Sequence, residues 1–444
     1  MKKFALVHLG NEESYGLLYA GSEFMKHGDI HFFDGEMTDC IPDIIKYSPT
    51  YLCFSPMTTF YPQAKRLEEM IKKHIDTISV YGGHHATNCG KELGDLTIVG
   101  AVKDIDLSKR DLVFNGQTKP EHLKSPARKE YFRDIPRMKD RYRKVILSVT
   151  GCPFTCTYCS SSNEVTRKLY GPTTCHLKHR DIDDIIQEAK FIKSDTQEIE
   201  WVDDDVLFGD QDWLMSFFQR WIKEIGLPMY VSTTSLSALK AKPKLLKLMR
   251  KVVNCVGLGV QAVNPDSLKL LGRSWDSVTK IWDAYNNLSS FGFRVNMQCI
   301  VGLPVKDPVK DALDTIEAMR IIGPGSIISC YPLQIYPNTK MEEYCAKHDF
   351  NINSDCLGDT NSGLPAIDFG SKVNNRLKNI CKLGTMVVKY NIDQRWLQSM
   401  LDINIDGSSE SLSMTRYYEC VKDRLPDKAD KIFSDIIGSM HLKY

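Results

Sequence analysis

Three cysteines and three aspartates pose the chemical question in this chain. Cys152, Cys156 and Cys159 form C-x3-C-x2-C within G-C-P-F-T-C-T-Y-C-S-S, directly behind an apolar, β-branched run at residues 145–150. Three thiolates on a loop leaving a strand can hold three irons of a [4Fe–4S] cube and leave the fourth open, whereas a closed structural zinc or a fully ligated cluster takes four. No cysteine follows closely, the next being Cys175, and Pro153 and Phe154 suit a tight turn poor in water. Further on, Asp203, Asp204 and Asp205 stand together in E-W-V-D-D-D-V-L-F at the end of a second predicted strand. Consecutive carboxylates at a buried strand end are costly unless they meet cations. A cationic ligand and a divalent metal both answer that need, although no histidine close in sequence helps to hold the metal.

The elements that must position these groups form a repeating pattern. Residues 145–335 read as six units, strands at 145–150, 198–202, 229–233, 253–260, 294–301 and 326–333, the first five followed by helices at 182–192, 212–225, 243–251, 274–291 and 308–322. Such units give an open, partial (β/α)6 barrel whose working rim is the carboxyl end of each strand. In order that rim carries the cysteine loop with Tyr158 and Ser160, the aspartate row, Ser232-Thr233-Thr234-Ser235, Gly257-Leu258-Gly259-Val260-Gln261, Gly302-Leu303-Pro304 and Tyr336-Pro337-Asn338-Thr339.

Residues 1–103 also alternate strand and helix, which predicts a doubly wound, Rossmann-like parallel sheet with its ligand beyond the carboxyl ends of the strands. Those ends carry Ser55, Thr58 and Thr59 after the third strand and Gly82-Gly83-His84-His85 after the fourth. Paired glycines let backbone approach a flat ligand, and hydroxyls suit amide or phosphate groups. From 104 to 144 the patterns lapse and basic residues gather, among them Arg128, Arg133, Arg137, Arg141, Arg143 and Lys144. This reads as a linker with a solvated basic face. Residues 340–444 are helical by pattern, at 341–348, 372–390 and 414–421, and Trp396, Tyr417 and Tyr418 are core or pocket aromatics. Cys345, Cys356, Cys381 and Cys420 are too widely spaced for a second cluster motif.

The whole chain is 444 residues with a formal net charge of +1, 25% charged and 42% hydrophobic residues. That balance gives no overall electrostatic reason to bind nucleic acid or membrane. No stretch approaches the ~18 apolar residues of a membrane span, and the apolar run behind Lys2 and Lys3 is too short for a secretion signal. Fourteen cysteines, mostly scattered singly, read as reduced core thiols in a cytoplasmic protein of an oxygen-poor cell.

The cysteine triplet resembles the signature of radical S-adenosylmethionine (SAM) enzymes, whose open iron is chelated by SAM. Tyr158 is similar to the aromatic that lies near adenine in that family, and Asp203, Asp204 and Asp205 resemble the acidic pair of its cobalamin-binding members, which meets the SAM ammonium. Ser160, Ser232 and Thr234 are candidate SAM contacts, Gln261 stands where an acid or amide bonds the ribose, and Gly302-Leu303 resembles the turn beside adenine. The first domain is similar to the family's cobalamin-binding domain at Ser55, Thr58, Thr59, Gly82, Gly83, His85, Ala86 and Thr87, with His84 and His85 the histidines near the expected corrin face. The Asp-x-His-x-x-Gly motif that gives classical B12 enzymes a cobalt ligand is absent.

The resemblance implies an α/β chain with a cobalamin-binding domain (1–103), a linker (104–144), a radical SAM barrel (145–339) and a helical C-terminal domain (340–444). It also implies an enzyme using a [4Fe–4S] cluster, SAM and cobalamin, with ferredoxin or flavodoxin as electron donor. The implied reaction is methylation of an unactivated carbon by way of a 5′-deoxyadenosyl radical and methylcobalamin. Its substrate is a small molecule or a peptide or protein residue, such as a glutamine of methyl-coenzyme M reductase. A rearrangement or cyclisation with the same cofactors, and an iron–sulfur sensor without turnover, are the alternatives.

Overall fold

The computed structural model describes residues 2–36, 40–90, 93–100, 111–113, 126–149, 151–162, 179–353 and 363–403, together with Asp423. The expected helix at 414–421, Tyr417, Tyr418, Cys175, Cys356 and Cys420 lie outside them. Two six-stranded sheets organise the chain. The first contains β1 (Lys2–His8), β2 (Gly28–Asp34), β3 (Tyr51–Phe54), β4 (Ile78–Tyr81), β5 (Leu96–Val99) and β6 (Asp111–Val113) in the order β2-β1-β3-β4-β5-β6, with neighbouring strands parallel. The order reverses between β1 and β3, the place where doubly wound sheets open a crevice at the carboxyl ends of their strands. Phe4 to Val7, Leu52, Phe54 and Tyr81 are all but fully buried, as expected of strands covered on both faces. Each such side chain contributes roughly 1.5–3 kcal/mol of apolar burial.

The second sheet contains β7 (Arg143–Ile146), β8 (Glu198–Trp201), β9 (Met229–Thr234), β10 (Val253–Gln261), β11 (Arg294–Val301) and β12 (Ile327–Pro332), ordered as in the sequence. It is the open sheet of a partial barrel. Alternation positions its strands: Ile199 and Trp201 of β8 are buried, and the Trp201 ring packs on Phe217 and Phe218 of the helix Gln211–Glu224, centroids 4.6 and 5.6 Å apart. Asp210 starts that helix, its carboxylate accepting from Asp212 and Trp213 N–H at 2.9 and 3.1 Å, the cap that satisfies otherwise orphaned donors.

By compactness the chain divides into two units. Met1–Gly257, Asn287–Phe293 and Tyr336–Glu343 form the first; Leu258–Asn286, Arg294–Ile335 and Tyr344–Tyr444 form the second. The basic stretch before β7 is not the solvated linker that its composition suggests. It carries helices Arg128–Asp134 and Pro136–Lys139, and Arg128 and Lys144 are 2% and 0% exposed. Arg128 donates to Glu13 and Glu188, each at 2.9 Å. Glu13 accepts the Val145 N–H at 2.8 Å, and Arg180 donates to Glu188 at 2.8 Å and to the Leu147 carbonyl at 2.9 Å. Two cations balance two acids in a core from which any one could be removed only at the expense of a buried, unpaired charge. Among the described residues no helix is long and apolar enough to cross a membrane.

Candidate cofactor site

The cysteine loop is shaped by its own turns. Gly151 enters it at φ +96°, and nothing stands within 4 Å of the position a Cβ would take; this is a left-handed conformation that glycine adopts without strain. Cys159 N–H donates to the Cys156 carbonyl at 3.3 Å and Ser162 N–H to the Cys159 carbonyl at 3.1 Å, so the chain turns tightly around its last two thiols. Phe154 packs edge-on against Phe208, centroids 5.7 Å apart. The Thr157 carbonyl accepts Met341 N–H at 2.9 Å.

The three aspartates, adjacent in sequence, do different work. Asp203 is buried and accepts the Ser148 and Val149 N–H groups at 2.7 and 3.0 Å and the Ser148 hydroxyl, holding the chain that leaves β7. Asp205 accepts Thr233 Oγ1 at 2.7 Å, Thr234 Oγ1 at 2.8 Å and Ser237 Oγ at 2.7 Å, holding the end of β9. Asp204 accepts the Ser161 hydroxyl and has an exposed side chain. Burial raises its pKa to about 7, opposed by the Ser161 bond and reinforced by Asp203 and Asp205.

Burial also pushes up the Cys152 and Cys159 thiols, Cys159 to about 12, and the Asp204 carboxylate adds to both shifts. The neighbouring charges that act on Cys159 and Asp204 are acids and thiols. Such a site is short of positive charge, which the irons of a cluster and the ammonium of an amino-acid ligand would supply. Among the described residues no three His, Cys, Asp or Glu side chains converge as on a single ion; a cube does not ask for that, because each thiolate takes its own iron. The donor set therefore fits the cluster and, through Asp204, SAM.

Of the hydroxyls expected to face a ligand, Thr234 is committed to Asp205 and caps the helix Ser235–Lys240. The Ser232 carbonyl accepts Val206 N–H at 3.0 Å. Tyr158 is half-buried on the cysteine loop. Ser160 is buried, and its Oγ lies 2.5 Å from Nε2 of His84. The sequence did not announce this last contact, nor the donors Ser148, Ser161, Thr233 and Ser237. A signal was present: buried carboxylates demand donors, and hydroxyl residues stand at the ends of the neighbouring strands.

At the carboxyl end of the first sheet the expected ligand groups are largely turned on one another. His85 is buried, stacks on Tyr61 with centroids 4.3 Å apart, and lies 3.3 Å from Thr58 Oγ1 and 3.4 Å from Cys89 Sγ. Its pKa falls to about 4, by burial and then by His84. Gly83 has φ +77°, and a Cβ there would meet Ser55 Oγ at 2.2 Å; the glycine answers to the approach of the β3 loop, as does Gly16, whose Cβ would come within 2.8 Å of the same hydroxyl. Thr87 ties the two loops beyond, donating to the Gly83 carbonyl at 2.7 Å and accepting Gly100 N–H at 3.1 Å. His84 is exposed, and the protein around its ring lowers its pKa. Thr59 and His84 keep accessible surface beyond the buried Gly82, so these are the residues that a flat ligand could meet, with His84 bonded to Ser160.

In the second unit Gln261 ends β10 at φ +66°, a conformation uncommon outside glycine and typical of functional turns. Leu303 is fully buried, and at Gly302, φ +85°, a Cβ would strike Pro365 at 2.6 Å. That glycine serves a close approach to the 363–370 segment.

Residues 146–318 match the family model described as the radical SAM superfamily. The fold of the larger chain is shared with solved cobalamin-dependent enzymes. The radical SAM methyltransferase TsrM from Kitasatospora setae, with cobalamin and a [4Fe–4S] cluster bound, aligns with a TM-score of 0.62 at 14% identity, over 78% of each chain. The cobalamin-dependent radical SAM enzyme OxsB aligns with a TM-score of 0.63 at 13% identity, over 100% of this chain and 76% of that one. An uncharacterized methyltransferase of Pyrococcus horikoshii is 24% identical over 206 residues, 45% of this chain; the match spans 41% of that relative's length.

Proposed function

We propose that this chain is a cobalamin-dependent radical SAM methyltransferase acting on an unactivated carbon of a small molecule. The observation that carries the reading is the gathering of the Cys152, Cys156 and Cys159 thiols with Asp204, which bonds Ser161 of the same loop, and a histidine from the doubly wound module reaching that loop. When bound, the cluster supplies the electron that cleaves SAM and the corrin supplies the methyl group.

The chain's own residues bind and exclude. Cys152, Cys156 and Cys159 would hold three irons, and Asp204 would pair with the SAM ammonium while Asp203 and Asp205 fix the strands on either side. Thr59 and His84 are the proposed corrin contacts beyond the Gly82-Gly83 turn. Removal of hydrogen as an atom asks for no general base, so positioning and exclusion of water are what the protein contributes. The small-molecule class is supported by TsrM, solved with its tryptophan substrate and a SAM analogue bound.

The test is anaerobic turnover with SAM, cobalamin, a low-potential reductant and candidate substrates. Methyl transfer forms both S-adenosylhomocysteine and 5′-deoxyadenosine and adds one CH2 to the substrate. Deoxyadenosine with an unmethylated, rearranged product would replace this reading by cobalamin-dependent rearrangement. Absence of SAM cleavage would point to a sensor.

A further inference from the structure

The cysteine loop is gripped from two directions through adjacent serines. Ser160 Oγ meets Nε2 of His84 at 2.5 Å, and the next hydroxyl, Ser161, bonds Asp204. His84 lies in the helix Gly83–Cys89, which begins directly after Gly82 at the end of β4. The same helix is tied a second time, for the Asn88 carbonyl accepts from Asn338 Nδ2. Three residues on, Met341 N–H donates to Thr157 within the cysteine loop at 2.9 Å. The helix, the cysteine loop and the 336–343 segment thus close a ring of hydrogen bonds, all within the first unit. Gly83 cannot yield easily, because its left-handed φ and its contact with Ser55 fix the turn.

We propose that His84 is a positioning residue through which the corrin-side turn and the cysteine loop sense each other's occupancy. The inference rests on the proposed function. A ligand seated on the Gly82-Gly83 turn restricts His84 and hence Ser160, and a ligand that draws on Asp204 competes for Ser161 one residue along. Two sites that bias one loop must have coupled affinities, by the same factor in both directions.

The coupling is measured by titrating SAM into cluster-reconstituted protein with and without hydroxocobalamin, and reading the ratio of the two dissociation constants. In the wild type the ratio should depart from one by at least about fivefold, and the reverse titration should return the same factor. His84→Ala and Ser160→Ala should each bring it close to one, with no further change when combined. His84→Gln, whose amide can still reach the Ser160 hydroxyl, should keep most of it. A histidine of merely structural importance would move both dissociation constants together and leave the ratio intact. Independent binding in the wild type, or a ratio that survives both His84→Ala and Ser160→Ala, overturns the inference and leaves the proposed function standing. Failure of the wild type to bind SAM or cobalamin removes both.

Discussion

The carboxyl ends of β3 and β4 and those of β7 and β8 solve different recognition problems. Around Ser55, Thr58, Gly83 and His85 the polar groups are neutral and already satisfied by one another, so what is offered to a ligand is backbone shape. Around Cys152, Cys159 and Asp204 the groups are acidic and crowded, and burial first, then their mutual proximity, pushes their pKa values up. Substitutions at the first end should therefore act through packing, and at the second through charge.

The sharpest break is at the thiols. Replacing Cys152, Cys156 and Cys159 by alanine should take bound iron from about four per chain to near none and abolish the visible absorption of the reconstituted protein. Iron retained in full would remove the cluster from this loop.

Asp204→Asn should weaken SAM binding about 10- to 100-fold, the worth of roughly 1.5–3 kcal/mol for one charge-assisted hydrogen bond, with iron content intact. Asp203→Asn and Asp205→Asn should chiefly lower thermal stability, because their oxygens serve Ser148, Val149, Thr233, Thr234 and Ser237. If all three variants lose SAM affinity alike, the distinction between the middle aspartate and its neighbours collapses.

At the shape-based end, Gly83→Ala should cost about 1–3 kcal/mol through overpacking on Ser55, seen in the melting of cofactor-free protein. Part should return in Gly83→Ala with Ser55→Gly, which removes the struck hydroxyl. Unchanged melting with lost cobalamin retention would show instead that the glycine answers to the corrin.

The smallest effect is a pH dependence from the acidic end, opposite in sign to that of His85, whose lowered pKa of about 4 favours the folded state as pH rises. Burial lifts Asp203 to about 6 and Asp204 to about 7 from 3.8, so between these values the folded cofactor-free protein holds protons that the unfolded chain has released. The contribution of these two carboxyls is fully present below the unfolded value and is lost as pH rises through the interval. Melting temperatures across it should fall less steeply in Asp204→Asn; an equal slope would mean that Asp204 is not among the groups titrating there.

Much of the architecture was legible because period and punctuation agree. The helices Ile182–Ile192 and Pro308–Ile322 and the strands Tyr51–Phe54 and Arg294–Val301 fall where hydrophobic alternation puts them. The basic connector misled because composition cannot tell a solvated arginine from one neutralised by Glu13 and Glu188, which lie far from it in the chain. The short helices Ser235–Lys240 and Gln394–Met400 were missed as well, each starting on a side-chain cap. For the aspartate row, residue type was readable but division of labour was not. Which carboxylate is spent on neighbouring strands depends on strand pleat and on hydroxyls contributed by β7 and β9.

The buried cluster of Glu13, Arg128, Arg180 and Glu188 bears on how this molecule can be taken apart. The segment that matches the radical SAM model starts at residue 146, yet one of the two cations on its Glu188 is Arg128, and the acceptor for the Val145 amide just before it is Glu13. Cutting the gene at that boundary would strip Glu188 of Arg128 and Arg180 of Tyr15, leaving their pair at an exposed seam. The unit that can be shuffled between genes is therefore longer than the unit that can be recognised, and the doubly wound module travels with the barrel as part of its foundation.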